Sequence, residues 1–247
     1  MPKFDMGAAW EDAMLLVRSH LPLTGAIAGV FFFLPSMVTA LLGPAPFVPQ
    51  PDASPTEASA MTFLYLKQLI PWFLLSMLAS TVGSIAILRL WLARSGISVG
   101  DALMFALLMV PTAIALFAIQ MTVFTVAMLA LIVPALYLVG RLAVVYPYLA
   151  DRGTKNPIAA LAGSWDLTKG NGWRICLFIV LIMVAILVIV MLVSSITSLF
   201  GAYGSPGFIV GSAIGSVLGA GMGLVNTAVI AATYRQLVTR TGQEIFA

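Results

Sequence analysis

Residues 163–174 read GSWDLTKGNGWR, a polar, glycine-rich, tryptophan-flanked stretch between two long apolar runs. Such a segment suits a phosphate cradle, a catalytic loop or a helix lying on a membrane surface. A phosphate-binding loop needs the spacing GxxxxGK[ST] after a strand, and TKGNGW does not have it. Metal and thiol chemistry are equally constrained. The chain has one histidine, His20, and one cysteine, Cys176. It therefore cannot build HExxH, a cluster of histidine ligands, a thiolate-only zinc site or an intramolecular disulfide. No cofactor and no metal are expected, and His20 reads as an interfacial residue, not a base.

The helical reading of the stretch is complete. Upstream of it, Asn156 is a good N-cap and Pro157 fits the first helical position, where its missing N–H costs nothing. Ile158, Leu161, Ala162 and Trp165 fall at helical spacing on one face, with Asp166 and Lys169 on the polar flank. Gly170 stands where a left-handed C-terminal cap is expected. Residues 156–170 are thus expected to form an amphipathic helix on the cytoplasmic leaflet, followed by a Gly-Asn-Gly hinge. Trp165 and Trp173 would anchor it at headgroup level, as Trp10 would anchor the N-terminal segment.

The elements around it are set by composition. Of 247 residues, 61% are hydrophobic and 9% charged, against roughly 25% charged in a soluble domain. Lipid must be the solvent over most of the chain, so this is an all-α, polytopic membrane protein. Six spans are expected, over residues 21–42, 69–92, two from the block 101–141, 173–199 and 208–232. Asp101 and Arg141 bracket 39 uncharged residues, enough for two crossings of about 20 residues each; the turn between them is placed at residues 120–122. Residues 5–20 carry Asp5, Glu11, Asp12 and Arg18 alternating with Trp10, Ala13, Met14, Val17 and Leu21, and read as an interfacial amphipathic helix capped by Asp5. A cleavable signal-anchor is the alternative, since LLGPAPF follows the first span. Ser98 and Asp101 form a capping-box pattern opening the third span. Together with Asp5 and Asn156 it outlines three units of interfacial helix plus transmembrane hairpin.

With both termini cytoplasmic, eleven of the twelve basic residues fall on the cytoplasmic side and only Lys67 outside, as the positive-inside rule requires. The net charge of +3 therefore reflects topology, and no nucleic-acid partner is expected. Arg141, Arg152, Lys155, Lys169 and Arg174 cluster between spans four and five as a cationic collar, the candidate site for anionic lipid headgroups. Arg141 sits beside Tyr137, Tyr146 and Tyr148. It either snorkels to the interface or pairs with Asp151 or a lipid phosphate. In span six Gly207, Gly211, Gly215, Gly219 and Gly223 recur every four residues. Such a small-residue face lets backbones approach closely, inside the bundle against span five or one, or between copies in a homo-oligomer. Asn226 and Gln120 read as interhelical hydrogen-bonding residues.

The pattern S-W-x-L-T-K-G-N-x-W-R over residues 164–174, preceded by Arg141, Pro147 and Asp151, resembles the membrane domain associated with some glycerophosphoryl diester phosphodiesterases and its relatives among bacterial inner-membrane proteins. The resemblance covers nearly the whole chain, and its most specific part is the dozen residues from Ser164. It implies a multi-pass protein of the bacterial cytoplasmic membrane. It carries over no catalytic residue, because catalysis in the full-length enzymes is expected from a separate soluble barrel.

The sequence thus points to a non-enzymatic envelope protein that binds or organises membrane lipid or scaffolds an envelope partner. The alternative is a transporter or permease subunit, for which Pro35, Pro71, Pro111 and Pro134 are the candidate helix breaks. An intramembrane enzyme is the weakest reading, since no nucleophile–base pair or ligand set converges in the spans.

Overall fold

The computed structural model describes residues 3–45, 54–93, 96–130 and 132–245, without the side chains of 130, 132 and 240–245. Arg94, the side chain of Arg240 and residues 46–53 of the Pro-rich loop lie outside that description. Among the described residues all regular structure is helical. Six stretches are long and apolar enough to cross a membrane: Met6–Leu42, Pro55–Leu92, Val110–Leu129, Val133–Arg152, Gly172–Phe200 and Pro206–Thr239.

The first stretch is one rod. Helix α1 (Met6–Ala28) passes through a π-helical turn (Gly29–Phe33) into α2 (Leu34–Leu42). Asp5 caps it by accepting from the Ala8 N–H. The amphipathic helix expected over residues 5–20 is therefore not a separate element. Its buried face is Ala9, Ala13 and Leu16, while Trp10 and Leu21 are exposed. The small face seats α1 along α10 (Pro206–Ile245), where Asp12 pairs with Arg235 at 3.3 Å and the Asp5 and Gln236 groups exchange hydrogen bonds. The start of α1 and the far end of α10 thus share one end of the bundle, called here the basic end.

Proline dictates where the other helices break. A proline inside a helix lacks a donor and collides with the carbonyl four residues back. Pro35 follows the π-turn, which absorbs the mismatch at that level. Pro111 follows the break at Met109 between α4 (Val99–Leu108) and α5 (Val110–Ala130). Pro147 follows the break at residues 142–144 that separates α6 (Ile132–Arg141) from α7 (Val145–Arg152). Pro71 lies within α3 (Pro55–Leu92) without interrupting it. The expected capping box of Ser98 and Asp101 is present, but it opens the short α4 ahead of the third crossing.

The turn expected at residues 120–122 is absent, because α5 continues through it and Thr122 bonds back to the Ala118 carbonyl. The chain reverses between α5 and α6, and Pro134 falls in the first turn of α6 where a proline is tolerated. Two further helices complete the order, α8 (Pro157–Leu167) and α9 (Gly172–Thr197).

Burial is lopsided. The core gathers at the basic end, from Ala9, Ala13 and Leu16 through Ile85–Leu88, Val144–Ala150 and Leu224–Leu237. The other end presents Phe73, Val126, Leu129, Met191 and Leu199 to its surroundings, an apolar belt too large for a water-facing monomer. Hydrogen bonds knit the basic end together. Arg89 donates to the carbonyls of Ala150 (2.8 Å) and Asp151 (3.3 Å) and lies over the Phe105 ring. The Tyr234 hydroxyl, on a 2% exposed side chain, donates to the Asp151 carboxylate at 2.6 Å. Tyr234→Phe strands part of that carboxylate, so thermal unfolding in detergent is expected to show a loss of about 2 kcal/mol, the scale of a buried hydrogen bond to a charged group.

The glycine stripe of α10 divides by neighbour. A Cβ on Gly207 would overlap the Phe200 carbonyl, and one on Gly211 would lie 3.1 Å from the Thr197 carbonyl, so this end packs on the end of the fifth crossing. Gly223 faces Phe32 of the first crossing. Gly215 and Gly219 face open space.

Candidate functional site

The site grows out of the break in the fourth crossing. In an unbroken helix the Arg141 carbonyl would accept from Val145. Here Val145 donates to Leu142 instead, and the Arg141 carbonyl is left needing donors. Helix α8 supplies them. Ser164 Oγ and Thr168 Oγ1 donate to it at 2.9 and 3.1 Å. Both are fully buried, as is Ala160, so the inward face of α8 is Ala160, Ser164 and Thr168.

The apolar residues expected along one face of this helix largely point away from the rest of the chain. Ile158 is 60% and Trp165 42% exposed, Ala162 is exposed and Leu161 half-buried. The expected ends are close to those observed. Asn156 accepts from the Ile158 and Ala159 N–H groups, and Gly170 is left-handed at φ 79°. The helix itself ends three residues sooner than Gly170.

Helix α6 then meets α9 at very short range. A Cβ on Gly140 would overlap the Gly172 carbonyl and come within 2.8 Å of the Cys176 nitrogen. This contact presses the Arg141 side chain into a slot between helices. Its guanidinium lies 4.1 Å from the Trp165 ring centroid and 5.7 Å from that of Tyr137. Trp173 packs on Tyr137 at 5.4 Å. Arg141 is 3% exposed, and its Nε is buried without a hydrogen-bond partner. It therefore does not snorkel. Nor does it pair with Asp151, which is engaged by Tyr234 and lies 3.9 Å from Arg152. Cation–π contacts replace an ion pair; they stabilise a desolvated guanidinium by up to about 2 kcal/mol, against a desolvation penalty of several.

Next to this slot is a cleft of about 620 Å³ lined by Val133, Pro134, Tyr137, residues 170–173 and Arg174. Tyr137 and Gly172 are the shared wall, touching Arg141 on one side and the cleft on the other. The cleft surrounds the N-terminus of α9, which has no side-chain cap and no acidic residue in its first turn. The N–H groups of Arg174 and Ile175 bond back to the Asn171 carbonyl, so those of the lining residues Gly172 and Trp173, with the positive end of the helix dipole, are what this terminus offers a ligand. Asn171 is held in place by the Phe4 N–H, which donates to its Oδ1 at 2.8 Å. Arg174 is exposed in the lining, and Lys169 is exposed one residue before Gly170.

The expected collar is therefore split. Arg174 and Trp173 line the cleft, Arg141 lies behind its Tyr137 wall against Trp165, and Lys169 precedes the lining residue Gly170. Arg152 is exposed beside Asp151, and Lys155 is held by its backbone, whose carbonyl accepts from Thr112 Oγ1 at 3.0 Å. These two, like Trp10 on α1, do not line the cleft. Among the described residues no group of acidic, histidine and cysteine side chains is placed to hold a metal. The roles of Ser164, Thr168, Gly140, Gly172 and Asn171 were not evident from residue type. The available signal was the pair Ser164–Thr168, four residues apart, downstream of a helix-breaking Pro147.

Residues 18–237 match the model of a domain of unknown function, DUF7847. The chain belongs to the DUF7847 family. The match runs from within α1 into the end of α10, so the cleft and most of the core lie within the family's domain, while the core residues Phe4, Ala9, Ala13 and Leu16 precede it. Nothing in it links the DUF7847 fold to glycerophosphoryl diester phosphodiesterases. No curated protein and no solved structure matches the chain.

Proposed function

We propose that this DUF7847 protein binds the phosphate of an anionic phospholipid in the cleft between α6 and α9. It would act as a non-enzymatic, lipid-interacting or scaffolding protein of a bacterial cytoplasmic membrane. One observation carries the reading: an uncapped helix N-terminus opens into a cleft whose lining holds Arg174 and no carboxylate, with the unpaired Arg141 behind its wall. Helix N-termini and arginines are the groups that hold phosphate. The positive-inside rule puts the basic end in the cytoplasm with both termini. Trp165 and Trp173 then stand at headgroup level, and α8 lies along the interface. The likeness of residues 164–174 to the phosphodiesterase-associated membrane domain supports a lipid-facing role.

The test is a titration of the protein in zwitterionic nanodiscs with phosphatidylglycerol, followed by tryptophan fluorescence. Arg174→Glu is expected to weaken binding roughly ten- to thirtyfold, since each basic residue near an anionic surface contributes about 1 kcal/mol and reversal turns attraction into repulsion. An unchanged titration would remove the cleft from consideration.

A transporter subunit is the second reading, favoured by the break at residues 142–144, because broken helices line substrate sites. That break lies at the basic end, beside the headgroup level, whereas a transported substrate needs a site near mid-membrane. Uptake of labelled lipid into one leaflet of proteoliposomes, abolished by Gly172→Ala, would decide for it.

A further inference from the structure

A second built site lies away from the cationic cleft, where the π-turn crosses α3 and α10. A single π-turn inside an α-helix is rare and frequently marks function. This one pushes two adjacent phenylalanines into the bundle. A Cβ on Gly83 of α3 would come within 2.6 Å of the Phe31 Cβ, and one on Gly223 of α10 within 3.0 Å of the Phe32 ring. Beside this wedge is a cleft of about 650 Å³, a volume within the usual range of about 300–1,000 Å³ for small-molecule sites.

The polar groups of the cleft fall into two sets. Thr39 bonds to Ser76 at 3.2 Å and to the Pro35 carbonyl, and Ser36 bonds to Ser216 at 3.1 Å. Ser80 and Thr227 bond back to carbonyls of their own helices. Ser84 and Asn226 make no hydrogen bond among the described residues, yet both line the cleft, and they sit one and three residues beyond the two wedge glycines. An amide in hydrocarbon with two donors and an acceptor unused is costly. Polar side chains within spans otherwise bond between helices.

We infer that this cleft binds the ester group of an acyl lipid from the surrounding bilayer, with the Asn226 amide and the Ser84 hydroxyl as donors to its carbonyl. Three observations choose that ligand. Its mouth carries Phe73, 60% exposed on the apolar belt, so entry is lateral, from lipid. No charged residue lines it, so the group recognised is neutral. Asn226 lies eight residues from Tyr234 along α10, about 12 Å below the polar layer at 1.5 Å per residue, which is below the level of the lipid phosphates. Phe32 and Met77 offer the chain an apolar wall.

The test uses the full chain in nanodiscs that mix equal amounts of diester and diether phosphatidylcholine with the same chains. Native mass spectrometry then reads which lipid stays bound. Wild type is expected to retain the diester in about tenfold excess, the factor two ordinary hydrogen bonds supply. Asn226→Leu and Ser84→Ala are each expected to leave about a threefold excess, and the double variant to bring the two lipids to parity. Should the leucine variant fail to fold, the alanine variant carries the comparison. No preference in wild type, a preference undiminished in Asn226→Leu, or a dimer that buries the cleft would overturn the proposal. Both lipids carry one headgroup, so the outcome is independent of the cationic cleft.

Discussion

Arg141→Met is expected to abolish stabilisation by anionic lipid while leaving the lipid-free protein nearly as stable as before. Two opposing terms set the second half of that result. The variant loses stacking against Trp165 and Tyr137, up to about 2 kcal/mol. It also removes a 3% exposed guanidinium whose Nε has no partner, and neutralising an uncompensated buried charge relieves a penalty of similar size. Methionine fills much of the slot, and the bonds from Ser164 and Thr168 go to the backbone carbonyl, so they persist. The ligand term behaves differently. A lipid at one hundred times its dissociation constant stabilises wild type by about 2.7 kcal/mol. Without the charge behind Tyr137 most of that gain is gone. Thermal unfolding in zwitterionic micelles, with and without phosphatidylglycerol, reads both terms. A variant as strongly stabilised by lipid as wild type would show that Arg141 only fills space.

Gly140→Ala carries the largest expected effect on the fold. The added methyl would occupy the position of the Gly172 carbonyl and press on the Cys176 backbone. Neither is a flexible side-chain end that can swing aside. Helices α6 and α9 must separate, which opens the Arg141 slot and the cleft together. Overpacking of this kind typically costs 1–3 kcal/mol and more where only backbone can yield, so a loss above about 3 kcal/mol is expected, read as a lower midpoint and a smaller monodisperse fraction after extraction. Gly219→Ala is the control, since its Cβ meets nothing within 4 Å.

The two glycines also mark what composition conveys and what it does not. Apolar runs were enough to find six stretches long and apolar enough to cross a membrane, and caps at Asp5, Ser98 and Asn156 were legible because each side chain answers a local need of the helix it starts. The reversal between α5 and α6 was not legible. Within the block after Asp101, Gln120 and Thr122 look like turn residues, but a helix in lipid keeps its backbone paired and leaves Thr122 to bond its own turn. The inward face of α8 was not legible for a related reason. On a helix in water the apolar stripe faces protein. On α8 and α1 the large apolar residues Ile158, Trp165 and Leu21 face out, and the small ones, Ala160, Ser164, Ala9 and Ala13, face in. Close packing in lipid selects small residues at the contact. The cationic site depends on that inward face, because only an inward Ser164 and Thr168 can cap the Arg141 carbonyl that the break at residues 142–144 frees.

The central claim is that the α6–α9 cleft holds an anionic headgroup. Native mass spectrometry of the protein extracted gently from its own membrane tests it most directly, with Arg174→Glu prepared in parallel. The account predicts one anionic phospholipid at fixed stoichiometry on wild type and its loss from the variant. A bare monomer, a second polypeptide in place of lipid, or equal lipid retention by both proteins would contradict it.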